Sequence, residues 1–307
     1  MNARILETIK KSAAVPSMPQ VVLRFLEIMQ DPEFDYKDLE RILATDAGTV
    51  GEVLRLANSA LFGVRNKVVS IKQALTLLGP KRTRSLLLGR YLVDTMSHRK
   101  VAGLDMSYFW RRSLASSVVA SQFAGRLLPK HRDEVFISAL LCDIGIPILA
   151  EALPKSYGPI AAQYTPHGEY VTEDRERAAV QVTHGEVSAM VLAHWTLPAT
   201  ITTAVNLHQS WTPGEGDAAF MARILNSADR IARLLCEVDA PDEIGRVCID
   251  ATAFIGVDAG FLVDLLPTIE RDVEELADAL RIDVIPSAVY GLVATAVQEA
   301  VTNAMAV

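Results

Sequence analysis

Strand signals are nearly missing from this 307-residue chain. It holds few runs of alternating β-branched residues and no Asn-Gly or Asp-Gly pair to close a tight hairpin, which argues against a β-rich fold. Cysteine is scarce as well. Cys142, Cys236 and Cys248 form an odd set without C-x-x-C spacing, which argues against a disulfide scaffold or a structural zinc site. Aromatic residues are only 6% of the chain, so base-stacking surfaces for nucleic acid have little to be built from. No apolar run reaches the roughly 18 residues of a membrane span. The richest window, FISALLCDIGIPILAEAL at 136–153, carries Asp143, Gly145 and Pro147 and reads as a buried segment. The N-terminal MNARILETIKKSAAV lacks an apolar h-region and does not read as a signal peptide. Charged residues make up 22% of the chain. With a mean hydropathy of +0.23, that composition excludes a disordered protein. The expectation is a soluble, cytoplasmic protein of one large domain or two.

What the chain does have is helix punctuation. Apolar residues recur at helical spacing in DYKDLERILATD, capped by Asp35, and in GTVGEVLRLANSALFG, with Gly63 as its stop. SIKQALTLLG sets Ser70 and Gln73 in capping-box register and ends at Gly79. Further helical patterns run to the C-terminus, so the fold class is all-α. The loop at Ser97–Gly103 and the Pro/Gly-rich Ser210–Asp217 are the clearest breaks. The net charge of −7 is uneven: residues 1–135 hold 21 basic and 13 acidic side chains, whereas 136–307 hold 9 and 24. Such a split points to an acidic partner or to one half docking on the other.

Three blocks stand in a fixed order: VPSMPQVVLRFLEIMQDPE, LERILATDAGTVGEVLRLANSALFG and SIKQALTLLGPKRTRSLLL. They carry Pro16 and Pro19, Asp46, Leu54, Asn58 and Ser59, then Ile71, Ala74, Leu78 and Gly79. In this order the blocks resemble the HDOD domain, the HD-related output domain of bacterial signalling proteins, over about residues 12–235. One departure is Gly48 after Ala47, where the family's proline after the Asp is missing. The resemblance implies an N-terminal helical subdomain (1–100) packed on a degenerate HD-type helical subdomain (101–235), followed by a helical C-terminal extension (236–307).

The resemblance also places the HD metal site. In that superfamily histidines and aspartates hold divalent metals that activate water against a phosphoester. The first His position falls on Arg112, the His-Asp pair on Cys142 and Asp143, the later histidines on His184 and His208, and the late Asp on Asp229. A guanidinium cannot ligate a cation, so the pocket reads as vestigial. Arg112, or its neighbour Arg111, is expected to replace the metal by pairing with Asp143. His184 and His208 are read as buried polar helix residues rather than ligands, and Cys142 as a buried small residue rather than a nucleophile.

No catalytic residue and no cofactor is therefore expected. The alternative is a metal-dependent phosphohydrolase with the reduced set Asp143, His184, His208 and Asp229. Lys81, Arg82 and Arg84, in the basic stretch from Leu61 to Arg112, are the candidate anion or partner patch; the second alternative is a regulator that binds a nucleotide, such as a cyclic dinucleotide, or nucleic acid there. The expected partners are other signalling proteins, not membranes, with nucleic acid disfavoured. Oligomeric state, partner identity and the regulated process stay open.

Overall fold

In the computed structural model the chain is 75% helical, with no strand among the described residues. Those residues are 3–31, 33–58, 67–97, 99–101, 103–210, 212, 214–237 and 240–305, without the side chains of 3, 4, 30, 47, 52, 56, 81, 82, 85, 86, 279, 304 and 305. Ser59, Gly63, Arg65, His98 and the side chains of Lys81 and Arg82 lie outside the described set.

The helices run α1 Ala3–Lys10, α2 Gln20–Gln30, α3 Tyr36–Leu43, α4 Ala47–Ala57 and α5 Ile71–Ser97 in the first third. Then come α6 Met106–Leu127, α7 Arg132–Leu141, α8 Gly145–Ala152, α9 Pro154–Ala161, α10 Glu173–Val180, α11 His184–His194, α12 Ala199–Asn206 and α13 Asp217–Cys236. The extension supplies α14 Pro241–Phe254, α15 Ala259–Leu280 and α16 Ser287–Met305.

Local chemistry explains the boundaries. Pro19 is extended (φ −61°, ψ 147°) and hands over to α2 at Gln20, because proline fixes φ and offers no N–H. Asp35 caps α3 by accepting from the Lys37 N–H at 2.9 Å. Asp46 does the same for α4 through the Thr49 N–H at 3.0 Å, although the proline that usually follows it is absent. The Asn58 amide pairs both ways with the Val68 backbone, accepting from its N–H at 2.7 Å and donating to its carbonyl at 2.9 Å. That clamp returns the chain after α4 towards α5. At Gly79 the backbone turns left-handed (φ 73°, ψ 165°), and Pro80 restarts the helix, so α5 is two rods across a kink.

The centre of the molecule is α6, packed on α7 and α13. Its N-terminus is capped by Asp105, which accepts from the Ser107 and Tyr108 N–H groups at 2.9 and 3.1 Å. Seven buried Ser and Ala residues between Ser113 and Ala124 keep its surface low, so its neighbours approach closely. One cluster of buried apolar side chains runs from Leu6 to Val297 and joins α6–α13 to the helices before and after them. The 24-residue stretch Pro129–Ala152 is long and apolar enough to cross a membrane by composition, yet 89% of its window is buried inside the protein. The turn at residues 142–144, with Asp143 in its middle, separates α7 from α8 within it.

The charge asymmetry has a structural counterpart. Arg90 of α5 donates to the Leu280 carbonyl at the C-terminal end of α15 at 3.0 Å, a favourable place for a cation. Beside this junction a groove of about 800 Å³ has Arg55 and Lys67 among its basic lining and Glu274, Glu275 and Asp278 on α15.

Candidate functional site

Cys142 is the C-cap of α7, and Asp143 follows it in the tight turn into α8. That turn is pressed against the start of α11. A Cβ on Gly145 would sit 2.2 Å from the His184 carbonyl oxygen, so only glycine permits the contact. The Gly145 N–H donates to Ser188 Oγ at 2.8 Å. A capping box holds α11: the Glu186 N–H donates to Thr183 Oγ1 and the Thr183 N–H to Glu186 Oε2, each at 3.1 Å. His184 is thereby fixed as the first helical residue and turned inward. His208 enters from the end of α12.

These three side chains converge. His184 Nε2 lies 3.4 Å and His208 Nε2 3.2 Å from Asp143 Oδ1, and the two Nε2 atoms are 3.2 Å apart. The opposite ring nitrogens are already committed. His208 Nδ1 is 2.7 Å from the Val205 carbonyl, which can only accept, so Nδ1 carries a proton. His184 Nδ1 lies 2.9 Å from both oxygens of Glu176, a fully buried carboxylate that also accepts from the His184 backbone N–H and from the Tyr157 hydroxyl. Both Nε2 atoms of the neutral rings would then present lone pairs to a carboxylate oxygen. A proton or another cation must lie among them. Burial alone would lower the His184 pKa, but the Glu176 charge and the hydrogen bonds to Asp143 and Glu176 outweigh it and push it up to about 10. Asp143 is likewise penalised by burial, yet both histidines hold its carboxyl well below the usual carboxylate range.

The other side of the pocket is differently arranged. Arg112 reaches across from α6 to Asp229 of α13 as a two-toothed fork, Nε to Oδ1 at 2.9 Å and Nη2 to Oδ2 at 2.7 Å. Its guanidinium lies 4.6 Å over the Tyr164 ring and 5.6 Å from that of Tyr170. The expected pairing of Arg112 with Asp143 is not found: its partner is Asp229. The reason is reach: the fork spans both oxygens of one carboxylate on the neighbouring helix, while Asp143 is taken by the two imidazoles and by the Tyr164 hydroxyl at 2.9 Å. Arg111 instead lies near the Tyr108 ring.

A segment from Gln163 to Thr172 ties both sides together. Tyr164 donates to Asp143, Tyr170 donates to Asp229 Oδ2 at 2.8 Å, Arg233 grips the Gly168 carbonyl at 2.7 Å, and Gln209 grips the Val171 carbonyl at 2.9 Å. Cys142, Asp143, His184, His208, Arg112 and Asp229 are all buried. Burial pushes the Cys142 thiol up, which leaves it a poor nucleophile. Cys142 Sγ, an Asp143 oxygen and a His208 ring nitrogen lie within 4.8 Å of one another.

The structure thus gathers all six sequence-derived positions, and it adds Glu176, Tyr164 and Tyr170. Glu176 sits in the acidic run EDRERAAV, where nothing in the pattern separates it from exposed neighbours. Of the basic patch only the Arg84 side chain is among the described residues. Arg84 is half-buried, and burial lowers its pKa against the opposing Glu134 charge.

A hydrolytic HD centre does not fit this pocket. Asp229 has both oxygens on Arg112, and the remaining groups are sealed from solvent.

Among solved structures, the chain is similar to a presumptive phosphohydrolase of Shewanella amazonensis SB2B, with a TM-score of 0.72 and 22% identity over 91% of this chain and 98% of the other. It is also similar to an HDOD domain protein with unknown function from Geobacter sulfurreducens (TM-score 0.69, 19% identity, 90% and 98% covered). A presumptive signal transduction protein of Marinobacter aquaeolei VT8 follows (0.61, 17%, 95% and 62%). At such identities the likeness speaks for the fold. In sequence, an uncharacterized protein of Treponema pallidum (strain Nichols) is 22% identical over 205 residues, 64% of this chain but 38% of that relative's length. The HDOD domain profile matches residues 15–211, and with that span and this helical architecture the chain belongs to the HDOD domain family.

Proposed function

We propose that this chain is a signalling component that acts by protein–protein contact through its HDOD domain and does not hydrolyse phosphoesters. The observation that carries the reading is the Arg112–Asp229 fork at 2.7 and 2.9 Å. Metal-assisted hydrolysis needs an open coordination position for water and a cleft for the phosphoester. Here a protein cation occupies the carboxylate that would complete the metal's ligand set, and the pocket is buried. What survives is a rigid polar core, which suits a domain that presents surfaces to a partner. Two structures of this fold are described as a phosphohydrolase and as a signal transduction protein; the chemistry of Arg112 favours the second role for this chain.

The test is direct. Purified protein is assayed against bis(4-nitrophenyl) phosphate and a cyclic dinucleotide with Mn²⁺, Mg²⁺ or Zn²⁺ added. The expected result is turnover no faster than in protein-free controls. Metal-dependent turnover that vanishes in Asp143→Ala would overturn the reading.

A further inference from the structure

The groove between α4 and α15 carries its two charges on opposite walls. On one wall Lys67 opens the segment before α5, and Lys72 follows on the first turn of that helix; both are exposed. On the other, α15 presents Glu274 and Asp278, exposed and four residues apart, so that they stand one above the other on one face. Leu54, Val68 and Val69 line the space between the walls. The uneven charge of the sequence is thus brought to one place: a basic edge from the first 135 residues faces an acidic edge from the rest.

A ridge stands beside this groove. Val69 lies on its lip and is 65% exposed, the most open of four large apolar side chains exposed among the described residues. Its N–H donates to Gln73 Oε1 at 3.0 Å, and Leu77, 46% exposed, follows one turn further along α5. Val69, Gln73 and Leu77 therefore form one line along the solvent face of the first rod of α5, with Lys67 and Lys72 beside it. A single exposed apolar residue is ordinary; two in line beside an apolar-lined groove make a surface for contact.

We infer that this face pairs two copies of the chain about a two-fold axis, the ridge of each copy entering the groove of the other. The inference names a partner for the contact reading above and rests on it. A two-fold interface uses the same patch twice, so the patch must be complementary to itself. This one is: a convex apolar ridge flanked by lysines lies next to a concave groove whose far wall is acidic. In the pair, Lys67 and Lys72 of each copy face Glu274 and Asp278 of the other, and Val69 and Leu77 leave water on both copies. An acidic protein would suit the lysines and be repelled by α15, and a basic one would meet the reverse. A second copy satisfies both walls at once.

Sedimentation equilibrium of the full chain, over a concentration series at low and high salt, tests the pairing. The expected mass at the upper concentrations is twice 33.4 kDa, with salt favouring dissociation. Lys67→Glu/Lys72→Glu sets acid against acid, and Glu274→Lys/Asp278→Lys sets base against base, so each should raise the dimer dissociation constant about tenfold or more. An equimolar mixture of the two variants should recover the dimer, because in the mixed pair both ridges again meet walls of opposite sign. Circular dichroism checks that each variant is folded, and Val69→Asp, which should also weaken the dimer, serves if a charge variant is not. A chain that stays monomeric throughout the series, a dimer indifferent to both charge reversals, or a mixture that remains monomeric would each overturn the inference. The two readings fail separately. A monomer without phosphodiester turnover overturns only the pairing, whereas metal-dependent turnover overturns the non-catalytic reading whatever the mass.

Discussion

The two sides of the buried pocket answer the same problem in opposite ways. On the Asp229 side a buried carboxylate has its own permanent cation, Arg112, with both oxygens engaged and a tyrosine hydroxyl added. On the Asp143 side a carboxylate faces two imidazoles whose inward nitrogens need a proton or an ion to coexist with it. One arginine therefore settles one carboxylate of the pocket and leaves the other to the imidazoles. A guanidinium is planar and matches the two oxygens of one carboxylate, so it satisfies a single acid and leaves the rest of the ligand set as it was.

Removing the arginine should break the contrast most severely. Arg112→Met leaves Asp229 buried without its cation and is expected to cost about 3–5 kcal/mol in denaturant unfolding. The double variant Arg112→Met/Asp229→Leu should recover most of that loss, because the unpaired charge causes the damage. Next come the two tyrosines, which offer the same bond to opposite sides. Tyr170→Phe and Tyr164→Phe each remove a hydrogen bond to a buried carboxylate and should each cost about 1.5–3 kcal/mol. Unequal losses measured side by side would show which carboxylate has the better alternative donors. Gly145→Ala should follow at about 1–3 kcal/mol, since α8 and α11 must move apart to admit a methyl group. Gly291→Ala in α16, whose Cβ would meet nothing within 4 Å, is the control and should be neutral or slightly stabilising.

The smallest effect concerns a histidine outside the pocket. His131 bonds to Glu134 at 2.7 Å and to Asp217 at 3.1 Å, and the Glu134 bond leads the causes that raise its pKa. A raised histidine contributes stability that is complete below its unfolded pKa of about 6.5 and is lost as pH rises through the folded value. The Tm gap between native protein and His131→Gln should therefore be widest below about pH 6.5 and close above it. A gap that widens with rising pH would reverse the assigned charge state.

Much of this architecture was legible along the chain because helix boundaries are written locally. Asp35, Pro19 and Gly79 announce their turns with their own side chains or lack of one, and each stands where the structure turns. The six pocket positions were legible for a different reason: an ordered set of short blocks fixes the register of a known fold. Pairing was not legible. Whether Arg112 meets Asp143 or Asp229 depends on the crossing of α6 with α13 and on which carboxylate the imidazoles already hold, and both are properties of packing. Glu176, Tyr164 and Tyr170 were missed because a buried carboxylate in an acidic helix and two tyrosines in a loop resemble solvated residues until their partners arrive.

The segment from Gln163 to Thr172 has a kinetic consequence. Four tethers, two tyrosine hydroxyls on the carboxylates and two backbone carbonyls gripped by Arg233 and Gln209, must let go before anything passes between the pocket and bulk water. Hydrogen exchange at the pocket is therefore expected to follow the opening of this segment and not the breathing of the helices around it.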